Sequence, residues 1–250
     1  MSGHSKWSSI KHKKGAADAR RGKLFSKLSR AIIVAARDGG GDPAANLALQ
    51  NAIEKARSYS VPKENIERAI ARGTGADTDE AAFEHVVYEG YGPNGVAILV
   101  EALTDNRNRT AADVRAAFAK HDGNLGGSGA VAWLFERRGV ILVDADRFDE
   151  DDVTLAAAEG GADDVELDGS SFSVTSSAES LSAVRQAIED AGIEVDSAEL
   201  TMVPKTTVEL DDESAAKKTL RLIDALEESD DVQEVYSNFD ISEQVMEAVL

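Results

Sequence analysis

The chain has no cysteine, four prolines in 250 residues and only 5% aromatic residues. Without cysteine there is no disulfide framework, no thiolate nucleophile and no thiolate-bound zinc, which fits a reducing, cytoplasmic setting. Long apolar runs are missing too. Residues 31–36 and 96–100 fall far short of the roughly 18 needed for a membrane span. Positive charge near the start is not followed by an apolar core or a small-residue cleavage site, so no signal peptide is read. The four histidines, His4, His12, His85 and His121, have no metal-ligand spacing, and no Gly-x-Ser-x-Gly turn presents a serine nucleophile. The expectation is a non-enzymatic protein with no metal, no cofactor and no small-molecule substrate.

What is present is 42% hydrophobic and 29% charged, enough to bury real cores, and the charge is unevenly placed. Residues 1–75 hold 15 Lys and Arg against 6 Asp and Glu, a balance of +9. Residues 76–250 hold 12 against 40, a balance of −28 within a net charge of −19. A cationic segment on so acidic a chain points to a polyanionic partner, because the acidic part already supplies solubility.

Residues 1–15 show no apolar period and read as an arm. Over residues 17–37 the spacing predicts a helix with Leu24, Phe25, Leu28, Ile32 and Ala35 on one face and Arg20, Lys23, Lys27, Arg30 and Arg37 looking out on another. Gly39-Gly40-Gly41 stops it, and Asp42-Pro43 has the composition to start a second helix running to about Ser58. A third opens after Val61-Pro62 and ends at Gly73. Beyond it the period changes to two, with strands over residues 83–91 and 95–103, a helix over 104–121 and a strand over 130–135.

Residues 139–203 read as a complete βαββαβ unit. Residues 206–238 add a strand, a helix and a strand, half a unit whose other half precedes residue 139. The fold class is therefore α+β: an N-terminal three-helix domain (residues 1–78), a split ferredoxin-like α/β domain (79–138 with 204–250) and a second ferredoxin-like domain inserted in it (139–203). Strand 83–91 is expected at an edge.

Nucleic-acid-binding candidates follow from the charge. Lys6, Lys11, Lys13, Lys14, Arg20, Arg21, Lys23, Lys27 and Arg30 can release counterions from phosphates, and Trp7 and His12 offer rings that stack on unpaired bases. Arg107 and Arg109, within Thr104–Thr110, allow two readings: they hold a phosphate at a helix start, or they pair locally with Glu101 or Asp113. The Gly-rich stretch 123–129 precedes a strand and lacks Gly-Lys-Ser/Thr, so it reads as a flexible connection, not a phosphate cradle.

Taken together, Gly3-His4-Ser5-Lys6-Trp7, Ile10-Lys11-His12-Lys13-Lys14, Val61-Pro62-Lys63-Glu64-Asn65-Ile66-Glu67-Arg68-Ala69, Tyr88-Glu89-Gly90-Tyr91-Gly92-Pro93-Asn94-Gly95 and Thr104-Asp105-Asn106-Arg107-Asn108-Arg109-Thr110 resemble the YebC/PmpR family. Its mitochondrial members include the translational activator of cytochrome c oxidase. The resemblance implies a cytoplasmic, three-domain, non-enzymatic protein. It also implies one of two roles: a DNA-binding transcriptional regulator, or a ribosome-associated factor that meets ribosomal RNA and acts on chains stalled at proline-rich stretches.

Overall fold

The computed structural model describes residues 18–75 and 83–242, together with residues 245 and 249; of residues 18–21 it describes the backbone alone. Three helices come first: α1 (Asp18–Gly39), α2 (Leu47–Ser58) and α3 (Lys63–Gly73). Leu28, Ile32 and Ala36 of α1, Leu49, Ile53 and Ala56 of α2, and Ile66 and Ala69 of α3 form one core, with Val61 between them. The helical periods predicted from sequence are those that are buried.

The start of α2 differs from expectation. Asp42 does not cap a helix; its carboxylate accepts from the Ala44 amide at 3.0 Å and shapes a turn. Asn46 is the cap instead, accepting from Leu49 N at 3.1 Å while its side-chain amide donates to the carbonyls of Ala35 and Gly40. It thereby joins the end of α1 to the start of α2 and satisfies orphan groups on both. Gly73 does more than end α3: a Cβ there would lie 2.4 Å from the Ile33 carbonyl oxygen, so its lack of a side chain lets α3 lie against α1.

The chain divides into two compact units. One contains the helices above and a four-stranded sheet, with β1 (Glu84–Tyr91), β2 (Ala97–Thr104), helix α4 (Arg107–Lys120), β3 (Asn124–Leu125), β8 (Val208–Glu209), helix α7 (Glu213–Glu227), β9 (Val232–Ser237) and β10 (Phe239–Asp240). Its sheet order is β3-β1-β2-β9, all antiparallel. Strand β1 has a second neighbour only at Gly90 and Tyr91, which pair with the two-residue β3; its residues 84–89 pair with β2 alone, as an edge strand's do. Residues 206–210 do not enter this sheet; β8 pairs in parallel with β10 to make a separate two-stranded ribbon. Between β1 and β2, Asn94 adopts φ 59°, the left-handed conformation the Pro93–Gly95 turn requires. Val114 and Phe118 of α4 and Leu222, Ile223 and Leu226 of α7 are buried, as is nearly all of β2.

The other unit, Trp133–Thr207, comprises β4 (Phe135–Asp144), α5 (Glu150–Glu159), β5 (Asp164–Asp168), β6 (Ser171–Ser177), α6 (Leu181–Asp190) and β7 (Ser197–Pro204). The order β5-β6-β4-β7, antiparallel throughout, is that of a ferredoxin-like βαββαβ fold. Ile141, Val143, Val153, Phe172, Val174, Val184 and Ile188 fill the space between its sheet and its two helices.

The Gly-rich stretch is pinned. Its Leu125 pairs with Gly90, the Gly126 amide donates to the Glu89 carbonyl at 2.7 Å, and the buried Glu89 carboxylate accepts from the amides of Gly129, Val131 and Ala132 at 2.7, 2.8 and 2.8 Å. After it the chain forms a 3-10 turn, Ala132–Leu134, in place of the strand expected from residue 130. Burial alone would push the Glu89 carboxyl up; the three amides outweigh that and hold it below the ordinary carboxylate range.

Since its folded pKa lies below the unfolded value of about 4.3, Glu89 stabilises the fold above that pH, and the contribution is lost as pH falls through the folded pKa. We expect Glu89→Gln to lower stability by about 1–3 kcal/mol and to speed amide exchange at Gly129, Val131 and Ala132 selectively. Unchanged exchange at those three amides would show that the carboxylate does not hold the loop.

Candidate nucleic-acid interface

Helix α1 carries its cations at three- and four-residue spacing, so Lys23, Lys27 and Arg30 lie along one side of it. That side is not left wholly to solvent as expected: Lys23 is exposed, but Lys27 and Arg30 are half-buried, and all three are engaged. Lys23 Nζ donates to the Glu228 carbonyl at 3.1 Å and Lys27 Nζ to the Glu227 carbonyl at 2.7 Å. These carbonyls close the C-terminal end of α7, where no further turn supplies donors and where the helix dipole is negative. Arg30 continues the row: its Nη1 donates to the carbonyls of Leu103 and Asp230 and to the Asp231 carboxylate at 3.1 Å. Lys55 of α2 likewise pairs with Glu234 of β9. Part of the amino-terminal positive charge is therefore spent on the chain's own acidic and carbonyl groups.

Asp231 is the centre of this arrangement. It is 6% exposed. Its Oδ2 accepts from Arg109 Nη2 at 2.7 Å, Thr110 Oγ1 at 2.7 Å and Thr104 Oγ1 at 3.2 Å, while its Oδ1 takes Arg30. Burial pushes its carboxyl up, but the bonds from Arg109, Thr110 and Thr104 and the Arg109 charge prevail and keep it below the usual range. Conversely the Arg109 guanidinium is raised, chiefly by its bond to Asp231 and then by its bond to Asp105. For Arg109 the structure realises local pairing, though with Asp105 at 2.7 Å and Asp231, and not with Glu101 or Asp113. Arg107, two-thirds exposed, lies 3.7 Å from Glu84 in a weak surface pair. Helix α4 is capped by Asn106, not by Thr104 or Asp105: the Asn106 Oδ1 accepts from Arg109 N at 3.1 Å.

A mixed-charge cavity of about 490 Å³ borders this node, lined by Lys23, Arg30 and Arg109 on one hand and by Asp113, Asp230 and Asp231 on the other. Its charges are largely matched within its own walls. Of the remaining candidates, Arg20 and Arg21 lie on the first turn of α1, where only the backbone is described, and Lys6, Trp7, Lys11, His12, Lys13 and Lys14 lie outside the described residues. Sequence reasoning missed Asp231 altogether, because a single Asp in the run Ser229-Asp230-Asp231 carries no local signal; its partners are over a hundred residues away. Among the described residues, no helix is long and apolar enough to cross a membrane, and no three His, Cys, Asp or Glu side chains are grouped as a metal site.

The chain combines a helical amino-terminal region, a four-stranded α/β layer and an inserted ferredoxin-like unit, and it belongs to the TACO1/YebC family. Residues 5–76 match the TACO1/YebC protein N-terminal domain, and residues 83–239 match the TACO1/YebC second and third domain. A relative from Rubrobacter xylanophilus is 62% identical over all of this chain and 99% of its own length, and one from Persephonella marina is 56% identical over the full length of both. Each is named a probable transcriptional regulatory protein. The crystal structure of a conserved hypothetical protein from Aquifex aeolicus superposes with a TM-score of 0.81 at 49% identity, over 90% of this chain and 93% of that one.

Asp231→Asn should keep the side chain's shape while removing the carboxylate that faces Arg30 and leaving Arg109 with Asp105 alone. We expect a loss of about 2–4 kcal/mol in urea unfolding at neutral pH. Because the native carboxyl titrates below its unfolded value of about 3.9, the difference between variant and parent should shrink as pH falls below about 4. A difference that stays constant down to pH values near 2 would mean that the charge of Asp231 is not what holds the node.

Proposed function

We propose that this chain is a nucleic-acid-binding regulator of gene expression that engages DNA through its cationic amino-terminal segment. The observation that carries the reading is the charge partition, +9 over residues 1–75 against −28 over the rest. Positive charge concentrated at one end gains affinity for phosphates through counterion release, while the acidic remainder is repelled by the same duplex and orients the cationic end toward it. The names of the relatives support a role in transcription. Because Lys23 and Lys27 already donate to backbone carbonyls and Arg30 gives its Nη1 to carbonyls and Asp231, the phosphate contacts of the amino-terminal segment fall chiefly to Lys6, Lys11, Lys13 and Lys14, with Trp7 and His12 beside them and only the free Nη2 and Nε of Arg30 to add. Dense base-reading side chains are absent from the sequences of α2 and α3, which instead carry Glu54, Glu64 and Glu67, so most affinity comes from the backbone of the nucleic acid.

The test is competition at fixed salt between duplex fragments recovered with the protein by crosslinking in cells and random duplex of the same length. Regulation at defined sites requires a preference of about 10³ or more. Reversing Lys11, Lys13 and Lys14 to Glu should abolish binding with little change in melting temperature. Equal competition would remove site-specific DNA regulation, and recovery of ribosomal RNA in place of DNA would move the function to translation.

A further inference from the structure

A second groove lies between α1 and α3, separate from the Asp231 node except where Arg30 touches both. Its walls are Ser26, Ser29 and Arg30 from α1 and Asn65, Arg68 and Arg72 from α3, and Phe83 closes one end; it encloses about 390 Å³. The polar residues of α3 stand at positions i, i+3 and i+7, so one face of the helix presents the whole set. Among the described residues, no carboxylate lines the groove. On a chain with 46 acidic and 27 basic residues, a cleft whose walls carry three arginines runs against composition, even though Arg30 also reaches Asp231 on its other side.

The side chains have capacity to spare. Arg30 is held over the Phe83 ring at 4.8 Å and makes all its hydrogen bonds through Nη1, which leaves Nη2 and Nε for another acceptor. The Arg68 side chain is exposed and makes no hydrogen bond or ion pair with a described residue, and the same holds for the Asn65 amide. Guanidinium forks, hydroxyls and an amide in one cleft make a donor set suited to phosphate oxygens. The cleft is open, as the passage of a polymer requires.

We propose that this groove is a phosphate-holding site that takes the sugar-phosphate backbone of a nucleic-acid strand, with Arg68 and Arg30 as its principal cations and Asn65 and Ser29 as neutral donors. The inference rests on the nucleic-acid reading above and adds a second point of attachment, between α1 and α3. A strand held by both the amino-terminal segment and the groove is fixed in direction, whereas a strand held by the amino-terminal segment alone is not.

The test uses the full-length protein, a labelled 12-nucleotide strand of DNA or RNA, and binding measured across a salt series. Arg68→Ala should weaken binding about 3- to 10-fold at low salt and reduce the slope of log K against log salt by about 0.7, one phosphate contact on a single strand. The exposed Arg115→Ala on α4 controls for loss of a positive charge, and Asn65→Ala should weaken binding without changing the slope. In the background with Lys11, Lys13 and Lys14 reversed to Glu, any residual binding should depend on Arg68.

If the parent protein binds and Arg68→Ala matches it in both affinity and slope, the groove proposal fails while the nucleic-acid reading stands. If the parent binds no DNA or RNA in dilute buffer, both fail. Tripolyphosphate is the second arm. Displacement of the strand by tripolyphosphate at equal phosphate concentration, lost in Arg68→Ala, would show that the groove takes free phosphate and would overturn the assignment to a strand.

Discussion

One buried carboxylate determines how the amino-terminal helices meet the rest of their unit. Asp231 sits at the start of β9 and accepts from Arg30 of α1, Arg109 and Thr110 of α4, and Thr104 at the end of β2. An acid this enclosed is tolerated only when its desolvation is offset by charge and hydrogen bonds, so each donor is constrained by the others. A three-helix bundle of this size would be marginal by itself. Here α1 is secured in three consecutive places, by Lys23 and Lys27 on the carbonyls that end α7 and by Arg30 on the acid that follows.

This changes what the positive charge of the amino-terminal region means. A basic helix on an acidic protein reads from sequence as a surface for a polyanion. The structure divides those cations into two populations. One is consumed by the chain's own acidic and carbonyl groups and contributes cohesion. The other, Arg68 among them, lines a cleft whose described walls hold no acid. A surface charge count cannot separate the two, because the distinction depends on what lies opposite each side chain.

The architecture was largely legible in the order of the chain. Apolar periods located all three amino-terminal helices, and the strand–helix–strand rhythm of residues 139–203 matches the order of elements in the second unit, although its first strand begins earlier, at Phe135. The mixed helix-and-sheet class and the family both followed from the sequence. Partners separated by long stretches of chain were not legible. Strand β1 looked like an addition to an edge, and its short contact with β3, two residues long and set in a glycine-rich run, was missed. Residues 206–210 looked like a sheet strand by composition, yet pair with β10 in a ribbon of their own. Asp42-Pro43 had the chemistry of a helix start, but Asn46, which reaches both Ala35 and Gly40, won the position through tertiary contacts. The same limit applied to the site: Arg109 was expected to pair with Glu101 or Asp113 if it paired at all, but its principal partner, Asp231, lies 122 residues away.

The way the inserted unit is attached has a further consequence. Its first and last strands pair with each other from the outset, with Phe135 opposite Pro204, so the two ends of the unit lie side by side. Closing a loop costs entropy that depends on the distance its ends must be brought together, and here the insert closes it by its own folding. The host therefore experiences 75 residues as little more than a short turn. Such a junction is tolerant of change: the guest can be lengthened, shortened or exchanged over evolutionary time without renegotiating the contacts around Asp231, and the two parts of the molecule are free to diverge at different rates.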